Sequence, residues 1–302
     1  MAEELLYLNG RFMPLSQGRV YVEDRGFQLG DGVYEVIKVM NGRLVWLEDH
    51  LERLERSLSA VRLTETRAVQ ELGEVLPRLV EASGVDEGSV YLQVTRGPAP
   101  REFVFPRPAR PTVLAYVRAA EPPTTEEILA GIVLHPVEDL RWARCDIKST
   151  NLLAAVLAKE EALEAGAHEA LFLGPGEVVR EGGSSNVFAV LDGVIRTHPL
   201  SNRILAGVTR LHVLRLARRD GLPVEEREFT LADITTAASA DCEVFTASTT
   251  KDLRPVVKVG KHVIGDGRPG RVTLSLLDAL RREQAQAVGL PAPPALSWPA
   301  GR

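Results

Sequence analysis

Cysteine and lysine are both scarce in this chain. Its 302 residues include two cysteines, Cys145 and Cys242, which lie far apart and form no CxxC pair. A disulfide framework is therefore not expected, and free thiols favour a reducing compartment such as the cytoplasm. The chain has no HExxH sequence and no Cys/His cluster at ligand spacing, so no metal site is predicted. Only six lysines accompany abundant arginine, so a lysine in a special position suggests that an amine is needed there.

Long apolar runs and an excess of basic residues are also missing. The net charge is −5 and the pI is about 5.8, which excludes the basic surface typical of nucleic-acid-binding proteins. No apolar run approaches the ~20 residues of a membrane-spanning helix, and the acidic start resembles no signal peptide. We therefore expect a soluble cytoplasmic protein that binds small molecules, with neither nucleic acid nor membrane as a partner.

Turn signals and hydrophobic periodicity divide the first part of the chain. Asn9-Gly10 and Asn41-Gly42 each predict a β-hairpin turn between apolar strands. A glycine-rich loop is expected from Gly26 to Gly32. The other predicted elements are strands 33–39, 43–47, 89–96 and 112–118 and helices 48–62 and 66–83. Two prolines and two threonines at 121–125 interrupt both periodicities, which predicts a linker after an N-terminal α/β domain, residues 1–120.

Strands and helices alternate after that linker. The predicted strands are 131–137, 143–147, 168–173, 186–191, 194–197 and 242–247, and the predicted helices are 151–165, 208–219 and 271–287. This pattern predicts a second domain over residues 126–288. Prolines dominate 289–302, which we expect to be a loosely held tail. At the coarsest level the fold class is α/β, of the α+β type.

The segment 141–166 contains the first candidate for chemistry. Lys148 follows the predicted strand 143–147 and precedes the predicted helix, for which Ser149 and Thr150 are good N-cap residues. A lysine in such a position can attack an aldehyde and shuttle a proton. From the local pattern alone, the commoner interpretation of Lys148 is a surface lysine in a loop.

Two further features would suit a phosphorylated pyridine cofactor. Glu181, in the sequence REGGSSN, could keep a pyridine nitrogen protonated so that the ring accepts electrons. Gly207-Val208-Thr209 opens a predicted helix, and Ser248-Thr249 follows a predicted strand, so together they could form an anion site. Each feature also has a plain structural meaning, a solvated turn or ordinary helix capping, and their order along the chain is the stronger indication.

Seven segments in this order resemble a known family. They are EDRGFQLGDGVYEVIKV at 23–39, HLERL at 50–54, YLQVTRG at 91–97, RWARCDIKSTNLLAAVLAK at 141–159, EGGSSNVF at 181–188, ILAGVTR at 204–210 and ASTT at 247–250. The chain is similar over about residues 5–275 to the fold-type IV (class IV) pyridoxal-phosphate aminotransferases, and among them to the D-amino-acid aminotransferases. The resemblance implies two α/β domains with pyridoxal 5'-phosphate at their interface, and a homodimer.

The same resemblance implies roles for individual residues. Lys148 matches the lysine that forms a Schiff base with the cofactor and moves the substrate α-proton, and Glu181 matches the partner of the pyridine nitrogen. The other implied cofactor-binding residues are Arg53, Gly207, Val208, Thr209, Ser248 and Thr249 around the phosphate, Leu205 against the ring, and Ser184, Ser185 and Asn186 in the adjacent turn. Tyr34 matches a tyrosine that lines the substrate pocket.

The loop at 98–105 departs from the family pattern. In the D-amino-acid enzymes, an arginine and a histidine two residues later bind the substrate carboxylate from a loop that enters the partner's site. Here Arg101 is present, but Phe103 stands at the histidine position and cannot donate a hydrogen bond. The lost bond is worth roughly 1.5–3 kcal/mol, enough to change substrate preference without abolishing activity.

The leading hypothesis is therefore a ping-pong transaminase that moves the amino group of D-alanine or D-glutamate to a 2-oxo acid. Three alternatives remain open. The same scaffold could serve L-branched-chain amino acids or (R)-amines, or an aminodeoxychorismate lyase that needs no oxo-acid acceptor. The third alternative is a non-catalytic protein whose Pro-rich tail binds a partner.

Overall fold

The computed structural model describes residues 4–63, 67–236 and 242–295. Packing divides the chain into two compact units. The first unit comprises Met1–Pro122 with Ile147–Leu152, and the second comprises Pro123–Asp146 with Leu153–Arg302. The short segment that carries Lys148 therefore packs with the first unit. The domain boundaries expected from the sequence stay a prediction.

An antiparallel sheet forms the centre of the first unit. Within the described residues its six strands are β1 Leu5–Leu8, β2 Arg11–Pro14, β3 Gly32–Met40, β4 Arg43–Leu44, β5 Gly88–Thr95 and β6 Thr112–Ala119. They are ordered β2-β1-β6-β5-β3-β4. Both predicted hairpins are confirmed, because β1 pairs with β2 and β3 pairs with β4. Asn9 and Asn41 have φ of 48° and each precedes a glycine of positive φ, as a type I′ turn requires.

Helices cover one face of this sheet. The helices of the first unit in the described ranges are α1 Arg25–Leu29, α2 Leu47–Ala60, α3 Arg67–Gln70 and α4 Leu72–Ser83. Helices α2 and α4 pack on the strands and bury a core that includes Val33, Ile37 and Leu54. Because side chains alternate along a strand, β3 turns Val33, Glu35 and Ile37 to this core and Tyr34 to the other face.

Three predictions for the first unit were wrong in detail. The strand expected at 43–47 is shortened to β4, because α2 already begins at Leu47. The expected loop from Gly26 to Gly32 contains helix α1, because Asp24 accepts a hydrogen bond from Gly26 N at 2.8 Å and caps it. The helix expected at 66–83 is divided into α3 and α4. The predicted strands 33–39, 89–96 and 112–118 are confirmed as β3, β5 and β6.

A larger mixed sheet forms the second unit. In the described part of the chain its strands are β7 Ile132–Glu138, β8 Glu169–Leu173, β9 Val179–Gly182, β10 Asn186–Leu191, β11 Val194–Thr197, β12 Val224–Glu226, β13 Glu243–Ser248, β14 Asp252–Val259 and β15 His262–Val263. Their order is β12-β11-β10-β13-β14-β7-β8-β9, with β15 on β14. Strand β9 also pairs with β10, which places Glu181 opposite Asn186.

Helices pack against several strands of this sheet. Over the residues described they are α5 Thr125–Ala130, α6 Leu153–Glu164, α7 Val208–Arg219, α8 Leu231–Thr235 and α9 Arg271–Ala287. Helix α6 contacts β7 and β8, whereas α7 and α9 contact β13 and each other. The predicted helices 208–219 and 271–287 and the strands 186–191 and 194–197 are confirmed at both ends.

The predicted strand 143–147 was wrong. Cys145 N donates to Asn202 O at 2.9 Å, and Asn202 Nδ2 donates to Ala143 O at 2.8 Å, so a loop residue takes these bonds instead of a strand. The following helix begins at Leu153, two residues later than expected. Thr150 does not cap it, because its hydroxyl donates to Gly30 O at 3.1 Å.

No helix among the described residues is long and apolar enough to cross a membrane. Both cysteines are free and buried, and the cytoplasmic location expected from them stays a prediction. Residues 296–302 of the expected tail lie outside the described residues.

Candidate functional site

The backbone around Lys148 is fixed at the start of β3. Lys148 O accepts from Tyr34 N at 2.9 Å, and Lys148 N donates to Ser57 Oγ of α2 at 3.3 Å. A further bridge joins Ser149 to Val33. The lysine is therefore held on one side by a strand and on the other by a helix, although no strand of its own precedes it.

The amine of Lys148 lies against Tyr34. Its Nζ is 4.2 Å from the centre of the Tyr34 ring, a cation–π distance. Tyr34 stacks on Tyr91, and Tyr91 stacks on Tyr116, with ring centres 5.7 and 5.2 Å apart. Burial, together with these two neighbours, raises the pKa of Tyr91 to about 12, so its hydroxyl stays protonated. Alternation along β5 and β6 could have indicated this tyrosine column, which the sequence analysis missed.

Arg53 of α2 forms a buried ion pair with Glu35, on the face of β3 that packs against the helices. Its Nε donates to Glu35 Oε1 and its Nη2 to Glu35 Oε2, both at 2.7 Å. His50 Nδ1 donates to Glu35 Oε2 at 2.9 Å. Residues three apart on α2 share a helix face, which is why His50 and Arg53 reach one carboxylate. The sequence analysis missed Glu35 and His50, although both lie inside the matching segments.

This cluster has a defined protonation state. Burial would raise the pKa of Glu35, but Arg53 and His50 lower it to about 2. Burial lowers the pKa of His50; Glu35 opposes this, whereas Arg53 and Lys148 act in the same direction as burial. His50 is therefore neutral at pH 7, with the proton on Nδ1. Its buried Nε2 has no hydrogen-bond partner among the described residues.

Arg101 and Phe103 lie on an exposed loop of the first unit. Phe103 is 88% exposed, and neither residue contacts Lys148 or Tyr34 through a described hydrogen bond or ring contact. The loop is attached to α1, because Arg25 Nη1 donates to Glu102 O at 2.5 Å. Arg25 is in turn paired with Asp31 at 2.8 Å.

Glu181 is the centre of a buried polar group in the second unit. Its Oε2 accepts from Leu205 N at 3.0 Å and from Asn186 Nδ2 at 3.1 Å. Its Oε1 accepts from Arg141 Nη1 at 2.5 Å. The structure thus brings together three predicted residues, Glu181, Asn186 and Leu205, and adds Arg141. Burial raises the pKa of Glu181 and Arg141 opposes this, with a net upward direction.

Arg141 belongs to an ion-pair network that the sequence analysis missed. Asp139 accepts from Arg141 Nε at 2.9 Å and from Arg180 Nη1 at 2.7 Å. The Arg141 guanidinium also lies 4.1 Å from the centre of the Phe172 ring. Despite burial, Arg141 and Arg180 lower the pKa of Asp139, so it is a carboxylate at neutral pH. The only sequence signal for this network was the presence of Arg141 in a matching segment.

Ser184 and Ser185 do not join the Glu181 group. Both hydroxyls donate to Glu169 Oε1, at 3.1 and 3.0 Å, and Ser184 N donates to the same oxygen. Their predicted contact with a cofactor stays a prediction, since each hydroxyl hydrogen already has an acceptor.

Three of the predicted phosphate residues, Gly207, Val208 and Thr209, form the start of α7. Gly207 is the N-cap residue and offers no side-chain cap, so the first N–H groups of the helix, at Val208 and Thr209, point outward without an intrahelical acceptor. A Cβ at Gly207 would lie 2.1 Å from Asn186 Oδ1, so any larger residue would force Asn186 to move. Ser248 ends β13, and Thr249 follows it. This donor set fits an anion such as a phosphate group.

Comparisons with known proteins agree with these features. The sequence model of the amino-transferase class IV family matches residues 32–259. The D-alanine aminotransferase of Staphylococcus haemolyticus is 40% identical over 278 residues, 92% of this chain and 96% of that protein.

Solved structures share the fold. The branched-chain aminotransferase of the thermophilic archaeon Thermoproteus uzoniensis with norvaline aligns with a TM-score of 0.81 and 26% identity, over 93% of this chain and 94% of that one. The 4-amino-4-deoxychorismate lyase of Pseudomonas aeruginosa aligns with a TM-score of 0.79 and 31% identity, over 92% and 98%. From the match over most of its length, the chain belongs to the class IV aminotransferase family.

Proposed function

We propose that this protein is a pyridoxal 5'-phosphate-dependent transaminase that takes the amino group of a D-amino acid, with D-alanine and D-glutamate as the leading donors, and passes it to a 2-oxo acid. The observation that carries the proposal is the Lys148 amine, held over the Tyr34 ring at a backbone position fixed by β3 and α2. The 40% identity to a D-alanine aminotransferase supports the choice of donor.

Lys148 would perform two tasks. Its amine would hold the cofactor covalently and, once displaced by the substrate amine, would move the proton at the substrate α-carbon. The cofactor, when bound, supplies an electron sink for the electron pair left on that carbon. The Tyr34 face restricts where the amine can lie, which favours proton transfer on one side of the substrate.

Other residues would bind and orient the cofactor. Glu181 would accept a hydrogen bond from the protonated pyridine nitrogen, as a buried carboxylate that already has fixed donors on both oxygens. The α7 start with Gly207, Val208 and Thr209 would bind the phosphate, assisted by Ser248 and Thr249 and by the Arg53 cation. Glu35 would fix Arg53 for this task. The N–H groups at the α7 start are already aligned by the helix, so this part of the site is preorganised for an anion.

Substrate choice rests on Arg101 and Phe103. We propose that Arg101 binds the substrate carboxylate without the second donor that histidine would provide. The structural similarity to a branched-chain aminotransferase and to a lyase keeps those two reactions as alternatives. The lyase would release pyruvate from aminodeoxychorismate without any oxo acid.

A spectroscopic experiment separates these possibilities. The purified protein is saturated with pyridoxal phosphate, and its visible absorption is followed after addition of D-alanine, L-leucine, an (R)-arylamine or aminodeoxychorismate in separate cuvettes. We expect D-alanine to bleach the visible band and 2-oxoglutarate or pyruvate to restore it. Bleaching by L-leucine alone would overturn the D-amino-acid assignment, and Lys148→Ala should show no visible band of this kind.

We also propose that the protein forms a homodimer through the outer face of α6. Leu153, Val156 and Leu157 on this helix are 72%, 53% and 62% exposed, an unusual density of large apolar side chains for a free surface. A second copy of the chain would bury them. This surface is called the α6 face below.

A further inference from the structure

Arg141 is held in place from several directions. Its Nε and Nη2 donate to the two oxygens of Asp139, at 2.9 and 3.0 Å, and Nη2 also donates to Arg203 O at 3.3 Å. Phe172 packs on the guanidinium plane. Rotation of Arg141 away from Glu181 would break the pair of bonds to Asp139, so the remaining Nη1 has a fixed direction.

The Glu181 carboxylate has an acceptor position left for one further hydrogen-bond donor. Each carboxylate oxygen accepts about two hydrogen bonds. Oε2 already receives Leu205 N and Asn186 Nδ2, whereas Oε1 receives, among the described residues, Arg141 Nη1. The acceptor position left for a new donor is therefore on Oε1, the oxygen that Arg141 touches.

We propose that Arg141, fixed by Asp139, is a positioning residue that directs Glu181 Oε1 toward the pyridine nitrogen of the cofactor, so that this oxygen can accept a hydrogen bond from the protonated nitrogen. The inference rests on the proposed function, and it assigns a role to a residue outside the cofactor contacts. Arg141 would act through Glu181, since its described partners are Asp139, Glu181, Arg203 O and the Phe172 ring.

The charges around Glu181 make this role necessary. Burial raises the pKa of Glu181 and the negative charge of Asp139 acts in the same direction, whereas Arg141 and, more weakly, the Leu205 N–H oppose this rise. Arg180 is paired with Asp139. The Cys145 thiol is neutral, because burial raises its pKa to about 11. Without Arg141, the pKa of Glu181 would rise further and Oε1 would lose its fixed direction, so the hydrogen bond from the protonated pyridine nitrogen would weaken.

The chain contains a matched control for Arg141. Arg144 pairs with Asp146 at the same two-residue spacing, through Nε and Nη2 at 2.9 and 2.8 Å. That pair is on the surface, with side chains 47% and 36% exposed, and it has no described bond to Glu181. Arg144→Met therefore removes the same kind of ion pair without changing the cofactor environment.

The test is a double-mutant cycle on the full-length protein. Wild type, Arg141→Met, Glu181→Gln, the double variant and Arg144→Met are compared by equilibrium dialysis of pyridoxal phosphate and by the pH midpoint of the absorbance of bound cofactor. We expect Arg141→Met to weaken cofactor binding by about 10-fold to 100-fold, the loss typical of one charge-assisted hydrogen bond. The pH midpoint should rise by about one unit, because a less protonated ring withdraws less charge from the nitrogen joined to Lys148.

The cycle separates positioning from a structural role. If Arg141 acts through Glu181, the double variant should bind cofactor as Glu181→Gln does, whereas independent effects would add and would overturn the inference. The double variant removes both buried partners and is the better folded choice should Arg141→Met alone unfold. The inference would also be overturned if Arg141→Met and Arg144→Met had the same affinity for pyridoxal phosphate and the same pH midpoint. Failure of the wild type to bind pyridoxal phosphate would instead reject the proposed function.

Discussion

At the scale of single residues, charge pairing in the interior decides which groups are ready for chemistry. Glu35 and Glu181 are both buried carboxylates next to an arginine, yet their pKa values shift in opposite directions. Both oxygens of Glu35 accept hydrogen bonds from Arg53, whereas Glu181 accepts a hydrogen bond from a single nitrogen of Arg141. A bidentate pair outweighs burial and a single contact does not, so Glu35 is a fixed structural anion and Glu181 is tunable.

Stability should fall in acid because of Glu35. Its pKa is about 2 in the folded protein against an ordinary value of 4.5, so the stabilisation is present above pH 4.5 and is lost as the pH falls toward 2. Chemical denaturation between pH 7 and pH 3 should show this decline, and Glu35→Gln should flatten it. Removal of one buried partner should also cost about 3–5 kcal/mol at pH 7.

Glu55 provides the control for that experiment. It lies on the exposed side of the same helix, so Glu55→Gln should leave both the stability at pH 7 and its acid dependence nearly unchanged. If the stability of Glu35→Gln still fell as steeply between pH 7 and pH 3, other carboxylates would be responsible for the loss of stability in acid.

Phe103→His should improve the use of D-alanine. Restoring a donor at this position adds one hydrogen bond to the substrate carboxylate, which corresponds to roughly a tenfold or larger gain in kcat/KM. The measurement is the steady-state rate with D-alanine and 2-oxoglutarate. Val104→His, on the neighbouring exposed residue, is the control and should change little. An unchanged rate in Phe103→His would mean that this loop does not bind the substrate carboxylate.

At the scale of elements, the ends of strands and helices carry the candidate groups. Lys148 is fixed beside the start of β3, Glu181 is near the end of β9, and Gly207 caps α7. Helix ends leave N–H groups free, and strand ends lie beside loops that can approach a ligand. The second unit therefore has its proposed phosphate-binding N–H groups at the start of α7, where regular hydrogen bonding stops.

Gly207→Ala tests the α7 end. The new Cβ would displace Asn186, which donates both to Glu181 Oε2 and to Leu205 O. We expect weaker cofactor binding and a loss of stability of about 1–3 kcal/mol, typical of overpacking. Gly73→Ala is the matched control in α4, where a Cβ has ordinary contact at 3.8 Å and alanine favours the helix. Unchanged cofactor binding in Gly207→Ala would contradict the assignment.

At the scale of the whole molecule, the chain order differs from the packing. Residues 147–152 return to the first unit from within the second, so the lysine and the glutamate belong to different units although only 33 positions separate them. The proposed chemistry therefore depends on a short segment whose strand and helix contacts come from distant parts of the sequence.

The α6 face predicts the assembly state. Leu157→Glu should place a charge in the proposed interface and convert the dimer to monomer, since a buried unpaired charge is strongly unfavourable. Sedimentation velocity measures the change. Val263→Glu, at an equally exposed apolar residue of β15, should leave the dimer intact. A monomeric wild type would reject this interface.

Local patterns were sufficient for much of the architecture. The Asn-Gly turns, the alternating strands and the long amphipathic helices were predicted because their signals arise from neighbouring residues. The resemblance also indicated Lys148 and Glu181, and Glu181 was found where Asn186 and Leu205 donate to it.

Only the tertiary structure decided the partners of these groups. The sequence by itself determined the family, the two Asn-Gly hairpins and both ends of helices α7 and α9, since each is encoded in neighbouring residues. It could not show that Asp139 fixes Arg141 against Glu181, that Glu35 takes Arg53, or that a loop residue replaces the strand before Lys148. Such contacts join residues distant in the sequence, and their energies depend on burial, which exists only once the chain has packed.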